Sequence, residues 1–489
     1  MSSSSSLFLL FFVLISSSCL PSSSQMLLLP LSHTLSSTQF NSTHQLLKST
    51  SSRSAARFHN HHHHHHRRQQ QLSLPLSAGS DYTLSFDLLG SDPPQPVTLY
   101  MDTGSDLVWF PCAPFECILC EGKSNPSLFP RPPNISRTQA VSCKSSACSA
   151  AHTSLSSSDL CAISRCPLES IETSDCSSFA CPPFYYAYAD GSLIARLYRD
   201  SVSISSLILR NFTFGCAHTT LGEPVGVAGF GRGLLSLPAQ LATFSPQLGN
   251  QFSYCLISHS FDKQRVRRPS PLILGRHEER TDGELVQFVY TPMLENPKHP
   301  YFYSVGLAAI SVGKKTIPAP EMLSRLDQRG NGGMVVDSGT TFTMLPASLY
   351  NSVVAEFDRR VGQVHERASE IEDKTGLGPC YYMEKVKAET EVPPLTLRFE
   401  GKGSVVVLPK KNYFYEFLDG GDGTRRKKQV GCLMLMNGGD DAELSDGPGA
   451  TLGNYQQQGF EVVYDLEKQR VGFARRQCAS LWDRLNQKN

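Results

Sequence analysis

The 489-residue sequence predicts a mainly β protein built as two related lobes with a central cleft. Short apolar runs separated by glycine and proline occur throughout the chain, which is typical of strands joined by turns. Few segments show the longer periodicity of a helix. A pattern of an acidic loop followed much later by a glycine occurs twice, and this repetition favours two lobes folded on one plan.

The first strand of the ordered part is expected just after Gly79. Between Tyr82 and Leu88 apolar residues alternate with polar ones, which is the period of a strand with one buried face. The clearest helix begins at Pro346, because proline is favourable in a first helical turn. Apolar residues lie along one face of this helix, and they are Leu349, Val353, Val354 and Phe357.

The repeated pattern is an apolar strand that ends in an aspartate, a hydroxyl residue, a glycine and a second hydroxyl residue. The two copies are Asp102-Thr103-Gly104-Ser105 and Asp337-Ser338-Gly339-Thr340. Each copy is followed much later by an apolar segment that ends in a glycine, Gly229 or Gly453. A single motif of this kind is usually a turn, whereas two motifs with matching partners indicate a shared function.

An aspartate at the end of a buried strand is costly unless its carboxylate is hydrogen-bonded or functional. If two such loops meet, both carboxylates cannot ionise cheaply, so the pair keeps one proton and titrates as a unit. The ionised member can take a proton from a water molecule that attacks a carbonyl, while the protonated member donates to the carbonyl oxygen. This chemistry needs no metal and no cofactor, and it favours acidic pH.

The charge balance argues against an electrostatic nucleic-acid binder, since 45 basic and 44 acidic side chains give a net charge of +1. Residues 1–24 are interpreted as a signal peptide, because the apolar run Leu7–Ile15 is too short to span a bilayer. No later segment predicts a membrane anchor. We therefore expect secretion to the extracellular space or the cell wall, or delivery to the vacuole.

Residues 25–75 are expected to form a solvated and removable pro-segment, because they are rich in Ser, His, Gln and Arg and poor in aromatic residues. They include the run His61–His66, for which metal capture is the alternative interpretation. Activation controlled by the charge of these histidines is a further hypothesis. After the pro-segment we expect an N-terminal lobe at 76–295, with a cysteine-rich insertion, and a C-terminal lobe at 296–489.

The fifteen cysteines are typical of an oxidising compartment. Cys19 leaves with the signal peptide, and the remaining fourteen can form seven disulfides. A zinc or redox site at Cys117-x-x-Cys120 is the alternative for two of them. Sequons for N-glycosylation are also present, and they begin at Asn41, Asn134 and Asn211.

The chain resembles the pepsin-like aspartic proteases, and more closely their nepenthesin-like plant branch, from about Gly79 to Cys478. The segments that carry the resemblance are Asp102–Trp109, Gly229–Pro238, Val336–Thr341 and Leu452–Gln458. The resemblance implies a bilobal pepsin-like fold with the substrate cleft between the lobes. The paired carboxylates of aspartic proteases are themselves the standard example of two acids that share one proton.

The resemblance also implies a role for each residue of the two loops. The expected roles are catalysis for Asp102 and Asp337, a cross-brace beneath them for Thr103 and Ser338, and hydrogen bonds to the outer carboxylate oxygens for Ser105 and Thr340. Gly104 and Gly339 let neighbouring groups approach the carboxylates closely. Cys380 and Cys432 stand where the branch usually has a disulfide.

Tyr188 matches the flap tyrosine of the family, which closes over bound peptide, and Trp109 matches the aromatic residue that packs with it. Cross-strand packing is the alternative for Tyr188, and a position in the core is the alternative for Trp109. The chain departs from the family at Ala189, where glycine is usual. Alanine adopts a positive φ less readily than glycine, so we expect a stiffer or differently shaped flap.

The expected function is that of a secreted, monomeric aspartic endopeptidase, which hydrolyses peptide or protein substrates with a water molecule held between two aspartates. The alternative is a non-catalytic relative, similar to plant xylanase inhibitors, that binds another enzyme. A structural cell-wall protein is a third class, but it leaves the repeated aspartate loops unexplained.

Overall fold

The structure is a computed structural model, and it describes residues 26–33, 42–60, 82–90, 92–120, 131–135, 139–152, 155–173, 175–188, 191–222, 224–258, 268–275, 287–383, 392–420, 427–441, 444 and 447–487. The predicted signal peptide, Asn41 and the His61–His66 run lie outside these ranges, so the expectations about them stay predictions. Among the described residues, no helix combines the length and the apolar character needed to cross a bilayer.

Strands make up most of the regular structure, so the protein is mainly β as predicted. Strands β1 to β12 are Leu27–His33, Tyr82–Leu88, Gln95–Asp102, Val108–Ile118, Gln139–Ala140, Phe184–Tyr188, Gly191–Ile204, Leu207–Leu221, Gly226–Gly229, Gln251–Cys255, Ser270–Leu274 and Val289–Leu294. Strands β13 to β26 are Ser304–Val305, Leu307–Val312, Lys315–Pro318, Met334–Val336, Thr343–Leu345, Cys380–Tyr382, Leu395–Phe399, Val405–Val407, Phe414–Asp419, Lys428–Leu433, Leu435–Asn437, Ala450–Leu452, Phe460–Asp465 and Arg470–Arg475.

Most helices of the described residues are short. Helices α1 to α11 are Thr43–Asn60, Ser146–Ala151, Ser157–Ile163, Leu168–Thr173, Leu237–Phe244, Pro246–Gly249, Glu321–Ser324, Ala347–Val361, Ser369–Thr375, Asn454–Gln457 and Cys478–Asn486, and two 3-10 helices are Asp175–Ser178 and Lys410–Asn412. The helix predicted after Pro346 is α8, with Pro346 as its N-cap residue. Leu349, Val353 and Phe357 are buried as expected, whereas Val354 is only partly buried.

Two groups of strands repeat one plan. β3 pairs in parallel with β9, and β4 runs antiparallel to β9. In the second half of the chain β16 pairs in parallel with β24, and β17 runs antiparallel to β24. Each parallel pair joins the strand that leads to an aspartate loop with the strand that leads to the later glycine. The repeated sequence pattern therefore corresponds to two related lobes, as predicted.

An antiparallel sheet of six strands joins the two halves of the chain. The order of the strands is β1-β11-β10-β25-β26-β12. The two halves meet where β10 pairs with β25, and there Phe252 lies opposite Tyr464. All residues of β10 and β25 are buried, so this junction is part of the core of the molecule.

Part of the region expected to be solvated is packed into the fold. Strand β1 forms one edge of the six-stranded sheet, and its apolar side chains are buried. Helix α1 buries Leu46, Leu47 and Phe58 against the second half of the chain. The expectation of a solvated segment is therefore wrong for these two elements. The composition argument considers only the surface that the segment can bury by itself, whereas β1 and α1 bury surface against the rest of the chain.

Fourteen cysteines form seven disulfides, the number that the sequence allows. The bonded pairs are Cys112–Cys216, Cys117–Cys120, Cys143–Cys161, Cys148–Cys181, Cys166–Cys176, Cys255–Cys478 and Cys380–Cys432. Three of these pairs lie within the insertion that carries α2, α3 and α4. Since Cys117 and Cys120 are bonded to each other, neither offers a thiolate to a zinc ion.

Candidate active site

The two aspartates of the repeated motifs lie at equivalent places in the two lobes. Asp102 is the last residue of β3 and lies opposite Gly229 in the parallel pairing with β9. Asp337 directly follows β16, and its backbone N–H donates to the carbonyl of Leu452 at 3.1 Å. Both carboxylates are buried. The local fold thus delivers each aspartate from the end of a strand that a parallel neighbour holds in place.

Each carboxylate accepts the same two hydrogen bonds from its own loop. Ser105 Oγ donates to Asp102 Oδ2 at 2.6 Å, and the backbone N–H of Gly104 donates to Oδ1 at 2.9 Å. For Asp337 the equivalent donors come from the second hydroxyl residue and the glycine of its own motif. These are Thr340 Oγ1 at 2.5 Å and the backbone N–H of Gly339 at 2.8 Å. Donors of this kind favour the ionised form of a carboxyl group.

Thr103 and Ser338 bond the two loops to each other beneath the aspartates. The backbone N–H of Thr103 donates to Ser338 Oγ at 3.0 Å, and the backbone N–H of Ser338 donates to Thr103 Oγ1 at 2.8 Å. Each hydroxyl then donates to a backbone carbonyl of the opposite strand, at Val336 and at Met101. This reciprocal arrangement is the cross-brace that the family resemblance implies for these two residues.

The glycines of the two motifs face the opposite carboxylate. A Cβ atom added to Gly339 would lie 2.4 Å from Asp102 Oδ1, and one added to Gly104 would lie 2.8 Å from Asp337 Cγ. Any side chain at either position would therefore collide with the other aspartate. The close approach of the two loops requires glycine at both places.

A basic side chain from α1 lies between the two aspartates. Arg57 Nη2 donates to Asp102 Oδ1, and Arg57 Nε donates to Asp337 Oδ2 at 3.1 Å. Only 12% of the Arg57 side chain is exposed, so these ion pairs are largely shielded from solvent. One planar guanidinium thus spans both carboxylates, which shows that the two motifs converge on one point.

The two aspartates have different proton affinities. Burial raises the pKa of Asp102, but the charge and hydrogen bond of Arg57, together with the bonds from Ser105 and Gly104, leave this pKa below its ordinary value. Burial also raises the pKa of Asp337, the charge of Asp102 raises it further, and Arg57 does not offset them. The pKa of Asp337 therefore lies above its ordinary value, so Asp337 holds a proton more readily than Asp102 does.

Helix α1 is held beside the aspartates by several further contacts. Lys48 Nζ donates to the carbonyl of Asp373 at 2.7 Å, and Ser51 Oγ donates to the carbonyl of Thr375 at 2.8 Å. Phe58, which directly follows Arg57, is buried in an apolar cluster with residues such as Met344. These contacts fix the helix over the second lobe, so that Arg57 is positioned by more than its own ion pairs.

Sequence reasoning missed Arg57 because it treated the region around it as unstructured. Arg53 and Arg57 are one helical turn apart, which places both on one face of α1. Arg53 lies over the ring of Tyr100, at 5.4 Å from its centroid. Two basic residues at helical spacing were the available signal, although many solvated helices carry such a pair.

The structure describes the flap region only in part. Strands β6 and β7 form an antiparallel hairpin in which Tyr188 pairs with Gly191. Residue 189, where the chain departs from the family, lies outside the described ranges, so the expectations for the flap tyrosine and the flap shape stay predictions. Trp109 is fully buried in a cluster with Phe184 and Leu193 of this hairpin. It occupies a core position next to the hairpin.

Two further groups of residues bear on glycosylation and on metal binding. The sequon residues Asn134 and Asn211 are both exposed, so a glycosylating enzyme could reach them. Cys148, His152 and Cys181 lie close enough together to hold a metal ion, but the two cysteines are bonded to each other. This group therefore lacks the thiolates that a metal site would need.

Comparison with known proteins gives matches over almost the whole chain. Residues 82–276 match the family described as xylanase inhibitor N-terminal, and residues 302–475 match the one described as xylanase inhibitor C-terminal. A probable aspartyl protease of Arabidopsis thaliana is 64% identical over 476 residues, which cover 93% of this chain and 93% of that protein. The aspartic proteinase nepenthesin-2 of Nepenthes gracilis is 28% identical over 414 residues, covering 84% of this chain and 81% of nepenthesin-2.

A solved structure shares the architecture. The crystal structure of edgp matches with a TM-score of 0.59 at 16% sequence identity, covering 93% of this chain and 96% of edgp. At this identity the likeness concerns the fold alone.

Proposed function

This chain belongs to the pepsin-like aspartic proteases, in their nepenthesin-like plant branch, and we propose that it is a secreted endopeptidase that cleaves peptide bonds with Asp102 and Asp337. The family assigns the reaction class, that of an aspartic-type endopeptidase. The observation that supports this catalytic pair most directly is the guanidinium of Arg57, which contacts both carboxylates. Two carboxylates within reach of one such group are close enough to share a proton and a water molecule.

The proposed mechanism uses one ionised and one protonated member of the pair. Once Arg57 has left, a water molecule takes its place between the carboxylates. The ionised member accepts a proton from this water as it attacks the peptide carbonyl, and the protonated member donates to the carbonyl oxygen. The same pair then protonates the leaving nitrogen. Because one proton must remain on the pair, activity is expected at acidic pH.

In our proposal the chain is made as an inactive precursor. Arg57 occupies the position that the attacking water needs, and its charge favours ionisation of both carboxyl groups. Helix α1, which carries Arg57, is attached to the second lobe by its bonds to Asp373 and Thr375. The precursor becomes active when the segment that carries α1 is released, which gives the predicted removable pro-segment a defined inhibitory contact.

Secretion and glycosylation are further parts of the proposal. Seven disulfides are typical of proteins that fold in an oxidising compartment. Asn134 and Asn211 are exposed and are the proposed glycosylation sites. The proposed destination is the extracellular space or cell wall, or the vacuole, with peptides or proteins as substrates and a monomer as the acting form.

Inhibition of another enzyme is the second candidate function. The family descriptions that match both halves of the chain name xylanase inhibitors, so a non-catalytic binding role has direct support. Against this role, both aspartates are present, together with the two hydroxyl residues that bond the carboxylates and the two that join the loops. A protein that only binds another enzyme has no need for this arrangement.

Cleavage of a mixed peptide library tests the two functions against each other. The full chain is incubated between pH 3 and pH 7, loss of the pro-segment is followed by mass, and cleavage is compared with that of the Asp102→Asn variant. We expect cleavage at acidic pH that the variant lacks, since the pair can no longer provide one ionised and one protonated carboxyl group. If the processed chain cleaves nothing and instead inhibits a xylanase, the inhibitor function is correct.

A further inference from the structure

A chain of buried hydroxyl and amide groups lies directly beneath the cross-brace. Tyr254 is on β10 and Tyr464 is on β25, the two central strands of the six-stranded sheet. Tyr464 pairs with Phe252 and Tyr254 pairs with Val462, so the two tyrosines are diagonal neighbours on one face of the sheet. Their hydroxyl oxygens are 2.8 Å apart.

Gln457 connects the tyrosines to the second aspartate loop. The hydroxyl of Tyr254 donates to Gln457 Oε1. Gln457 Nε2 in turn donates to the backbone carbonyl of Leu452 at 2.8 Å and to that of Asp337 at 3.3 Å. The side chain therefore joins the six-stranded sheet to the backbone of an expected catalytic residue.

The direction of the hydrogen bonds follows from the groups involved. The amide oxygen of Gln457 can only accept, so Tyr254 gives its single proton to Gln457. Tyr254 must then accept from Tyr464, which is the other short contact of its hydroxyl. The oxygen of Tyr464 also lies 3.3 Å from the carbonyl oxygen of Val336 and 3.5 Å from Thr103 Oγ1. The series of hydrogen bonds thus begins at Tyr464, beside the cross-brace, and ends on the backbone of Asp337.

The three side chains of this hydrogen-bond series are buried. Tyr254 and Tyr464 have no exposed surface, and Gln457 is 1% exposed. Burial raises the pKa of both tyrosines above the ordinary value, so both hydroxyls stay protonated at every pH at which the protein acts. A missing partner would leave a buried donor or acceptor without a hydrogen bond, which is more costly than the bond itself is favourable.

We propose that Tyr254 and Gln457 are positioning residues for peptide hydrolysis, which hold the backbone of Asp337 at a fixed place relative to the cross-brace. Neither side chain touches substrate in this role. They act through Asp337, whose carboxylate can share a proton with Asp102 only while the two loops keep their separation. The inference rests on the proposed catalytic function and adds a connection from the six-stranded sheet to the dyad.

Kinetics of Tyr254→Phe test the proposal, with Tyr381→Phe as the matched control. Tyr381 is equally buried, and its hydroxyl donates to Asp358 at 2.8 Å in a different part of the second lobe. We expect Tyr254→Phe to lower kcat about tenfold, to leave KM within about twofold, and to move the acidic limb of the pH profile. Tyr381→Phe should leave kcat, KM and the profile close to those of the wild type.

A double-mutant cycle adds a second measurement. If Tyr254 acts through Gln457, then Tyr254→Phe combined with Gln457→Met should lower kcat no more than Gln457→Met does alone. Should Tyr254→Phe not fold, Tyr464→Phe carries the test, because it removes the donor to Tyr254, and a fall in kcat of at least about threefold is then expected.

The outcomes separate this role from the proposed function. If the wild type cleaves peptides and Asp102→Asn does not, the proposed function stands whatever the tyrosine variants do. In that case a Tyr254→Phe enzyme with the kcat and pH profile of Tyr381→Phe, or a fully additive cycle, overturns the positioning role alone. If the wild type cleaves nothing, both proposals fail together.

Discussion

Asp106 is a third carboxyl group within the first aspartate loop, four residues after Asp102. It lies against the loop that follows β9, where a Cβ atom on Gly233 would come within 2.0 Å of its Oδ2 atom. Burial, with a smaller effect from the charge of Asp102, raises the pKa of Asp106 to about 6. This group therefore gains a proton on folding at pH values between its ordinary pKa and about 6.

Replacing Asp106 with asparagine should stabilise the protein at neutral pH. A carboxyl group whose pKa is raised on folding stabilises the folded protein fully at pH values below its unfolded pKa, near 4. This stabilisation is lost as the pH rises through about 6. Asparagine resembles the neutral carboxyl group, so Asp106→Asn should raise the free energy of unfolding at pH 7 by about 1–3 kcal/mol and change it little at pH 4. Urea unfolding at both pH values measures this.

Asp327→Asn is the control with the opposite sign. Asp327 is exposed; burial slightly opposes its ionisation, but hydrogen bonds from Asn331 and Arg329 lower its pKa. The contribution of Asp327 to the free energy of unfolding is present above its unfolded pKa and is lost as the pH falls. Asp327→Asn should therefore be less stable than the wild type at pH 7. Equal stability of Asp106→Asn and wild type at pH 7 would contradict the assignment for Asp106.

The residues of the dyad were predictable because their signal is local. A strand, an aspartate, a hydroxyl residue and a glycine form a motif of adjacent residues, and its repetition at Asp337 predicts that two such groups meet. Arg57 and Tyr254 carry no such signal, and Gln457 lies in a segment that resembles the family but does not indicate its partners. Each acts through a side chain that reaches a partner far away in the sequence, and nothing in the neighbouring residues indicates that partner.

In the proposed precursor, Arg57 blocks the site and other residues of helix α1 provide its attachment. Arg57→Gln removes the charge between the aspartates but keeps the buried Phe58 and the bonds of Lys48 and Ser51. We therefore expect this full-length variant to remain folded, with α1 bound less tightly and with measurable peptide cleavage before any processing. Cleavage is measured at pH 5 in the first minutes, while intact mass confirms that the chain is uncut.

Arg53→Gln is the matched control for this prediction, since Arg53 is one turn away on the same helix and lies over Tyr100. It removes the same charge from α1 without removing a contact to either aspartate. We expect the uncut Arg53→Gln chain to be as inactive as the wild-type chain. Equal activity of the two variants would mean that helix charge in general, and not the contact to the dyad, keeps the precursor inactive.

The elements before Tyr82 show where reasoning from composition stops. The alternation in β2 predicts a strand because one of its faces is buried within the lobe itself. Strand β1 pairs with β11, more than two hundred residues away, from Leu27 opposite Leu274 to Leu31 opposite Ser270. Helix α1 likewise depends on α9 and the second lobe. Such elements obtain their burial from distant partners, so their own sequence does not predict that they are ordered.

At the scale of the whole molecule, the six-stranded sheet explains how two lobes can hold one active site. β10 comes from the first half of the chain and β25 from the second, and every residue of the two paired strands is buried. The repeated motifs predict two lobes but not this junction, because pairing between strands so far apart has no local sequence signal. The junction matters for function, since the dyad requires one carboxylate from each lobe.

Release of the pro-segment should depend on pH through the two aspartates. Burial opposes ionisation of Asp102, but Arg57 lowers its pKa below the ordinary value, so the ion pair contributes full binding of α1 above about pH 4 and loses it as the pH falls through the lowered pKa. Burial raises the pKa of Asp337, and so does the charge of Asp102, whereas Arg57 lowers it. Protonation of Asp337 therefore weakens its contact with Arg57, and it begins at a higher pH than protonation of Asp102 does. Both effects make binding of α1 weaker as the pH falls.

Loss of the pro-segment, followed by intact mass from pH 7 to pH 3, should therefore accelerate steeply as the pH falls. The Arg57→Gln variant should show a shallower dependence on pH, with faster release at pH 7. A wild-type rate that is independent of pH, or an Arg57→Gln profile that coincides with it, would show that the dyad does not control release.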